Sequence, residues 1–215
     1  MDKIKNLRPS GRGEVRMANK KTYLFDIDGV IIDVPELYTG MSKHVNENNR
    51  EKRLKMIEFF KKPLWRRMGT LLLKPTKNIH ILRQIIADGH DVHLVSRRAH
   101  DTDLKEHPEG KGLLIPKWLE KNNIIIPLKN IHMRKFNVDD KDFLPEAEFK
   151  SFILTQTLAD GFWDDKPEIV EHIRQEHKNG RFEYDCPAHL FTGWDDVERR
   201  MKESNTFPRP KGRGL

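Results

Sequence analysis

Asp26 and Asp28 flank one apolar residue at the end of the run Tyr23-Leu24-Phe25, and Gly29 follows them. In an extended chain, residues two apart point the same way, so the two carboxylates are expected side by side at a strand end. Like charges that close repel until a shared proton or a cation relieves them. A hard divalent cation with oxygen ligands, such as Mg²⁺, suits such a pair. Gly29 lets the chain turn and lets a ligand approach the backbone closely. Taken alone, the four residues read equally well as an acidic strand-to-loop turn. Two further apolar runs also end in polar groups: Asp91 to Val95 runs into Ser96, and Gly161-Phe162-Trp163 runs into Asp164-Asp165. Ser96 alone is a strand-end hydroxyl, and Asp164-Asp165-Lys166-Pro167 alone is an acidic helix start. Three successive strand ends carrying such groups are a constellation that chance rarely supplies.

The elements that must position these residues follow from periodicity and punctuation. Strands are expected over residues 22–26 and 91–96, near Ile131-His132-Met133, over Gly161-Phe162-Trp163, and over Phe182-Glu183-Tyr184. Between them lie helical patterns: Pro75 to Ala87, stopped at Gly89; Leu113 to Lys121, carrying Trp118; Pro145 to about Leu158, carrying Lys150; Pro167 to His177; and a last helix after Thr192. Residues 99–110 read as a polar loop. Alternating strands and helices predict an α/β domain with a mostly parallel central sheet flanked by helices. The open end of such a sheet, at the strands' carboxyl termini, is where a site belongs. Residues 35–69 exceed what a plain crossover needs. They mix Leu54, Ile57, Phe59, Phe60 and Trp65 with lysine and arginine, so a small helical insertion is expected there as a cap, with Arg66 and Arg67 facing a phosphate-bearing substrate.

Bulk properties narrow the class. The 215 residues suffice for one domain, expected over residues 21–204, with basic tails at 1–20 and 205–215 that read as disordered. Met17, ahead of Ala18-Asn19-Lys20-Lys21, is read as an alternative start. The net charge of +7 is concentrated in residues 1–21, 50–67 and 202–215, which carry +5, +6 and +3 around an acidic centre. That distribution suits a polyanionic partner, and equally a pair of solubilising tails. A single cysteine, Cys186, excludes an internal disulfide and a cysteine-based metal site. With no apolar run of membrane-spanning length and no signal-peptide pattern, a soluble, non-secreted, cytoplasmic protein with no membrane partner is expected.

Taken in order, Asp26-Ile27-Asp28-Gly29-Val30, a strand ending in Ser96, a helical Lys150 and Asp164-Asp165 resemble the four signatures of haloacid dehalogenase (HAD) superfamily phosphatases, from about Thr22 to Leu190. The resemblance implies a Rossmann-like HAD fold and Mg²⁺-dependent phosphoryl transfer. It implies Asp26 as the nucleophile that forms an aspartyl-phosphate, and Asp28 as the acid and then base. Ser96 would donate to phosphate oxygens, and Lys150, preferred over Lys135 or Lys141, would offset the charge of phosphate and nucleophile. Mg²⁺ would be held by Asp26, the Asp28 backbone carbonyl and a carboxylate of Asp164-Asp165. Asp165 is the preferred ligand of that pair, with Asp164 orienting Lys150. Val30 departs from the threonine common at its place. A dehalogenase reading leaves Asp28 without a purpose.

The run Ser96-Arg97-Arg98-Ala99-His100-Asp101, followed by Trp118 on a helix and by His132-Met133-Arg134, is similar to the 3′-phosphatase domain of polynucleotide kinase-phosphatases. That likeness implies a DNA or RNA 3′-phosphate end as substrate, with Arg97, Arg98 and Arg134 as phosphate or backbone contacts. The Asp-x-Arg-x-Asp spacing of those domains is only approximated by Asp140-Lys141-Asp142. No Gly-x-x-x-x-Gly-Lys-Ser/Thr loop is present, so the chain holds no kinase half. Trp163 reads as strand core rather than as a base-stacking platform, the role also open to Phe136. The rival readings are a phosphatase of nucleotides or sugar phosphates, capped by residues 35–69, and a non-catalytic nucleic-acid-binding protein on the same scaffold.

Overall fold

The computed structural model describes residues 20–33, 73–100, 114–135, 144–182 and 187–206, with backbone alone at 97–100, 134–135 and 204–206. The expected cap at 35–69, residues 1–19 and 207–215 of the expected tails, and the positions of Phe136, Asp140, Lys141, Asp142 and Cys186 lie outside these residues, whereas Asn205 and Thr206, expected in the second tail, belong to the last helix.

The order of elements is β1 (Thr22–Asp26), β2 (Ile32–Asp33), β3 (Lys74–Pro75), α1 (His80–Ala87), β4 (Asp91–His100), α2 (Leu114–Lys121), a 3-10 turn (Leu128–Asn130), β5 (Ile131–Lys135), α3 (Glu146–Thr157), β6 (Gly161–Asp164), α4 (Pro167–Lys178), β7 (Ala188–Leu190) and α5 (Trp194–Thr206). Five strands form one sheet in the order β5-β4-β1-β6-β7, and every pairing in it is parallel. The α/β fold class expected from the sequence is therefore the one observed. β1 sits at the centre; the chain goes from it to β4 and β5 on one side, and from β5 crosses back to β6 and β7 on the other. This reversal opens a crevice above the carboxyl end of β1.

Strand parity sorts the side chains into two layers. Tyr23 and Phe25 of β1 and Trp163 of β6 join the core built by α1, α2 and α5, where Phe25 stacks on Trp163 at 5.0 Å. Trp163 is thus strand core, 2% exposed. Leu24, Val95 and Phe162 join the opposite core, under α3 and α4. By the same parity Asp26 and Asp164 fall on the α3 side and Ser96 on the other. Burial of Trp118 and Trp194 is made affordable by partners for their indoles: Trp118 Nε1 donates to the Leu73 carbonyl at 2.8 Å, and Trp194 Nε1 to Thr76 Oγ1 at 2.9 Å.

Three boundaries differ from the sequence reading. The helix expected from Pro75 begins at His80, because Pro75 pairs with Ile32 in the short antiparallel β2–β3 pair and Asn78 is left-handed, φ 63°. β4 continues through Arg97 and Arg98 to His100 instead of ending at Ser96. Its register with β5 jumps from Ser96↔Met133 to His100↔Lys135, so the strand bulges beside the crevice. Of the strand expected at Phe182-Glu183-Tyr184, Glu183 and Tyr184 lie outside the described residues. Phe182 lies outside any strand, buried against the α3–α4 core, and the edge strand is Ala188–Leu190. Pro187 lacks an N–H but lends its carbonyl to Phe162 N at 3.1 Å, which suits the residue just before a strand.

On the α3 side of the sheet, His93 Nδ1 and His132 Nε2 share a hydrogen bond of 2.9 Å. Burial, then the neighbouring His93, pushes His132 down to about 4; burial, then Arg200, pushes His189 down to about 4. Both fall below the unfolded value, so the unfolded chain takes up more protons once the pH drops below about 6.5. The stability these two histidines contribute is accordingly full at pH 7 and lost on acidification toward pH 4. Discounted for its partial exposure, His132 is expected to contribute about 1 kcal/mol of loss between pH 7 and 4.5. Thermal melts across that range should show His132→Gln losing less, or gaining more, on acidification than the unmutated chain.

Candidate active site

β1 ends at Asp26, and its ladder is prolonged by one bond, Ile27 N to the Val95 carbonyl at 3.1 Å. The chain then turns: Gly29 N donates to the Ile32 carbonyl at 2.9 Å, and Ile31 and Ile32 both donate to the Ile27 carbonyl. Asp28 therefore lies past the strand, in a turn, rather than in register beside Asp26. Its Oδ2 accepts from Ser96 Oγ at 3.4 Å. Ser96 is 1% exposed, so the bond brings a buried hydroxyl from β4 to the carboxylate of the β1 loop.

Lys150 enters from α3. Its side chain is wholly buried, and its ammonium meets Asp164 Oδ2 at 2.6 Å, Glu146 Oε1 at 2.9 Å and Asp26 Oδ1 at 3.0 Å. A buried lysine is tolerated only when paired in this way. Burial alone would lower its pKa, but Asp26, Asp164 and Glu146 together raise it above the ordinary lysine value. Burial pushes Asp26 upward; the pull of Lys150 opposes this, and the charges of Asp164 and Asp28 add to it.

Asp164 also fixes the loop after β6. Its Oδ1 accepts from Lys166 N at 3.0 Å, an Asx-type turn that hands the chain to Pro167 at the first turn of α4. The corner before β6 is pinned at its other end: Asp160 N donates to the Thr22 carbonyl, and Asp160 Oδ2 accepts from Thr22 N at 2.8 Å. That clamp holds β6 in register with β1, so Asp164 is presented level with Asp26.

Asp26, Asp164 and Asp165 each offer a carboxylate oxygen within 4.8 Å of one another. Desolvation first, and the charge of Asp164 second, push Asp165 up to about 6. Carboxylates clustered this closely, Asp26 and Asp165 raised by burial first and by neighbouring charge second, are a donor set that a hard divalent cation would relieve, so these residues fit Mg²⁺. Gly29 makes room for the group. It has φ 83°, and a Cβ there would lie 2.0 Å from Asp165 Oδ2. We expect Gly29→Ala to displace the Asp165 carboxylate and to lose about 1–2 kcal/mol to left-handed strain. A Mg²⁺ titration followed by thermal melting should then show about tenfold weaker apparent affinity for the ion than in the unmutated chain.

Of the residues singled out in the sequence, Asp26, Asp28, Ser96, Lys150, Asp164 and Asp165 come together at the carboxyl ends of β1, β4 and β6. Arg97 and Arg98 lie in the bulged end of β4 and Arg134 in β5, and their side chains are outside the described residues. Two residues near the centre were not singled out. Glu146 bridges Lys150 and Lys166, whose Nζ lies 2.8 and 2.9 Å from its two carboxylate oxygens. Glu146 precedes Lys150 by four residues on one helix, a spacing that makes them neighbours and was legible in advance. Lys166 carried no such signal. Burial opposes the charged form of Glu146, but Lys150 and Lys166 prevail and hold its pKa at about 2.

No family model matches the chain, and no curated protein matches it. Solved structures do. A haloacid dehalogenase-like family hydrolase from Streptococcus pneumoniae is similar over 85% of this chain and 98% of its own, at TM-score 0.43 and 12% identity. The HAD domain of the effector protein Lem4 from Legionella pneumophila is similar over 85% of this chain and 93% of its own, at TM-score 0.43 and 16% identity. A HAD-superfamily hydrolase of subfamily IA from Geobacter sulfurreducens is similar over 85% and 96%, at TM-score 0.43 and 11% identity. Among the described residues, no helix is long and apolar enough to cross a membrane.

Proposed function

We propose that the chain is a HAD-type, Mg²⁺-dependent phosphomonoester hydrolase that works through an aspartyl-phosphate on Asp26, with a 3′-phosphorylated nucleic-acid end as its substrate. The observation that carries the reading is the wholly buried Lys150 ammonium held between Asp26 of β1 and Asp164 of β6. A charge with no exposure, anchored by carboxylates from two separate strands, is costly as mere scaffolding and useful beside a reacting anion.

In the first half-reaction an Asp26 carboxylate oxygen attacks phosphorus in line, the phosphorus–oxygen bond to the leaving alcohol breaks, and Asp28 gives that oxygen its proton. Asp28, now a carboxylate, then takes a proton from water. The water oxygen attacks phosphorus, releasing inorganic phosphate and restoring Asp26. Ser96 holds Asp28 toward the crevice and offers its hydroxyl to a phosphate oxygen. Lys150 fixes the rotamer of Asp26, so the nucleophile arrives oriented. Mg²⁺ held by Asp26, Asp164 and Asp165, with the Asp28 carbonyl as a further oxygen, would neutralise phosphate charge.

The nucleic-acid substrate rests on the charge pattern and on the sequence likeness of the Ser96–Asp101 and His132–Arg134 runs. A chain of pI about 9.4, with positive charge gathered in three segments around an acidic centre, draws a polyanion more than a small phosphate ester. The test compares phosphate release from a 3′-phosphorylated oligonucleotide, a nucleotide, a sugar phosphate and an aryl phosphate, with and without Mg²⁺. Preference for the oligonucleotide that weakens steeply with salt is expected. Turnover of the small esters alone would retain the hydrolase and replace its substrate with a nucleotide or sugar phosphate. Oligonucleotide binding with no turnover of any ester would leave a binding protein.

A further inference from the structure

A lysine ammonium has three protons, and at Lys150 three carboxylate oxygens, on Asp26, Glu146 and Asp164, lie within 3.0 Å of the nitrogen. Each proton therefore has an anionic acceptor inside the protein. The three acceptors differ in what else holds them. Asp164 is anchored by Lys166 N at 3.0 Å. Asp26 sits at the end of the central strand. Glu146 stands at the start of α3, where its two oxygens also receive the Lys166 ammonium. Lys166 is the more accessible cation of the two, its side chain 30% exposed against 0% for Lys150. Lys150 and Lys166 are thus linked through one carboxylate that belongs to neither strand end.

We propose that Glu146 is a positioning residue, which shares the Lys150 ammonium with the nucleophile and thereby sets how tightly Asp26 is held, while Lys166 fixes Glu146 for that task. The inference rests on the hydrolase reading for its kinetic meaning and on geometry alone for the linkage. With Glu146 in place, Lys150 divides its charge over three acceptors and Asp26 keeps enough free charge to attack. Without it, Lys150 is drawn wholly onto Asp26 and Asp164, and the nucleophile is quenched. The site also loses one negative charge, so an anionic ester meets less repulsion. Helix α3 would gain a neutral first-turn residue in exchange, which leaves its length unaffected.

The experiment has two arms. In the first, Glu146→Gln is expected to lower kcat about tenfold while KM falls, and Glu146→Asp to recover most of kcat. A merely structural loss reduces the active fraction and leaves KM unchanged; that result, or an unchanged kcat, overturns the proposal. Lys166→Gln, which leaves Glu146 without its second cation, is expected to lower kcat with KM rising, and a kcat equal to that of the unmutated chain also overturns it. The second arm needs no turnover. In metal-free protein, Glu146→Gln should lower Tm in the unmutated background and lower it by clearly less when Lys150→Met is already present. Equal drops in the two backgrounds overturn the linkage, whatever the substrate proves to be. An unmutated chain that releases phosphate from no ester removes the hydrolase reading, and the melting cycle then decides the linkage by itself.

Discussion

Asp26→Asn is expected to reduce Mg²⁺-dependent phosphate release by about a thousandfold or more, because the amide offers no anionic oxygen to form the phosphoenzyme. The same substitution should leave Tm unchanged or raise it. Asp26 is 3% exposed, and its burial, with Asp164 and Asp28 nearby, pushes its pKa well above the ordinary carboxylate range in spite of Lys150. A carboxylate whose folded pKa lies above its unfolded value is strained by its own charge at neutral pH, so an uncharged isostere relieves the fold. Activity and stability therefore move in opposite directions at this residue, as they do where a site is kept reactive at the fold's expense. Phosphate release and melting temperature measured on one preparation check both. Turnover near the unmutated level would sink the nucleophile assignment, and a large fall in Tm would sink the account of strain.

Lys150→Met should do the reverse to stability. It leaves Asp26, Glu146 and Asp164 facing one another without the ammonium that all three share, and breaking a buried ion cluster from one side costs about 3–5 kcal/mol. For a chain of this size that is about 10 °C in Tm, with phosphate release lost as well. The pH dependence supplies a sharper check. Lys150 is a lowering influence on both Asp26 and Glu146. Without it the folded pKa of Asp26 rises further and that of Glu146 rises from about 2, so the variant gains more stability than the unmutated chain as pH falls. In the unmutated chain, losses at His132 and His189 oppose gains at Asp26 and Asp165 over the same descent. Between pH 7 and 5.5 the melting temperature of the variant should therefore shift upward relative to that of the unmutated protein. An equal shift in both would mean that Lys150 carries no such burden.

The α/β class, the central strand at Thr22–Asp26 and the convergence of Asp26, Ser96, Lys150 and Asp164 were all legible in the amino-acid sequence. The reason is local: short apolar runs that stop at polar residues mark buried strands and name the groups at their carboxyl ends, and a parallel sheet has one such end. Amphipathic spacing likewise placed Trp118 and Lys150 on helices. What tertiary structure alone decided lies between elements. Which polar residue turns to which face follows from strand parity once the register is known, and register depends on clamps such as Thr22–Asp160, 138 positions apart. The strand at Ala188–Leu190, rather than at Phe182, is chosen by pairing with β6, and pairing is invisible in one strand's composition. The departure of Asp28 from the line of Asp26 comes from carbonyls that Gly29 and Ile31 find within the turn. The partnership of Glu146 with Lys166 joins residues 20 apart, one in the first turn of α3 and one at the N-cap of α4. Sequence names the charged groups, but a buried charge is balanced by whatever the fold brings within 3 Å of it.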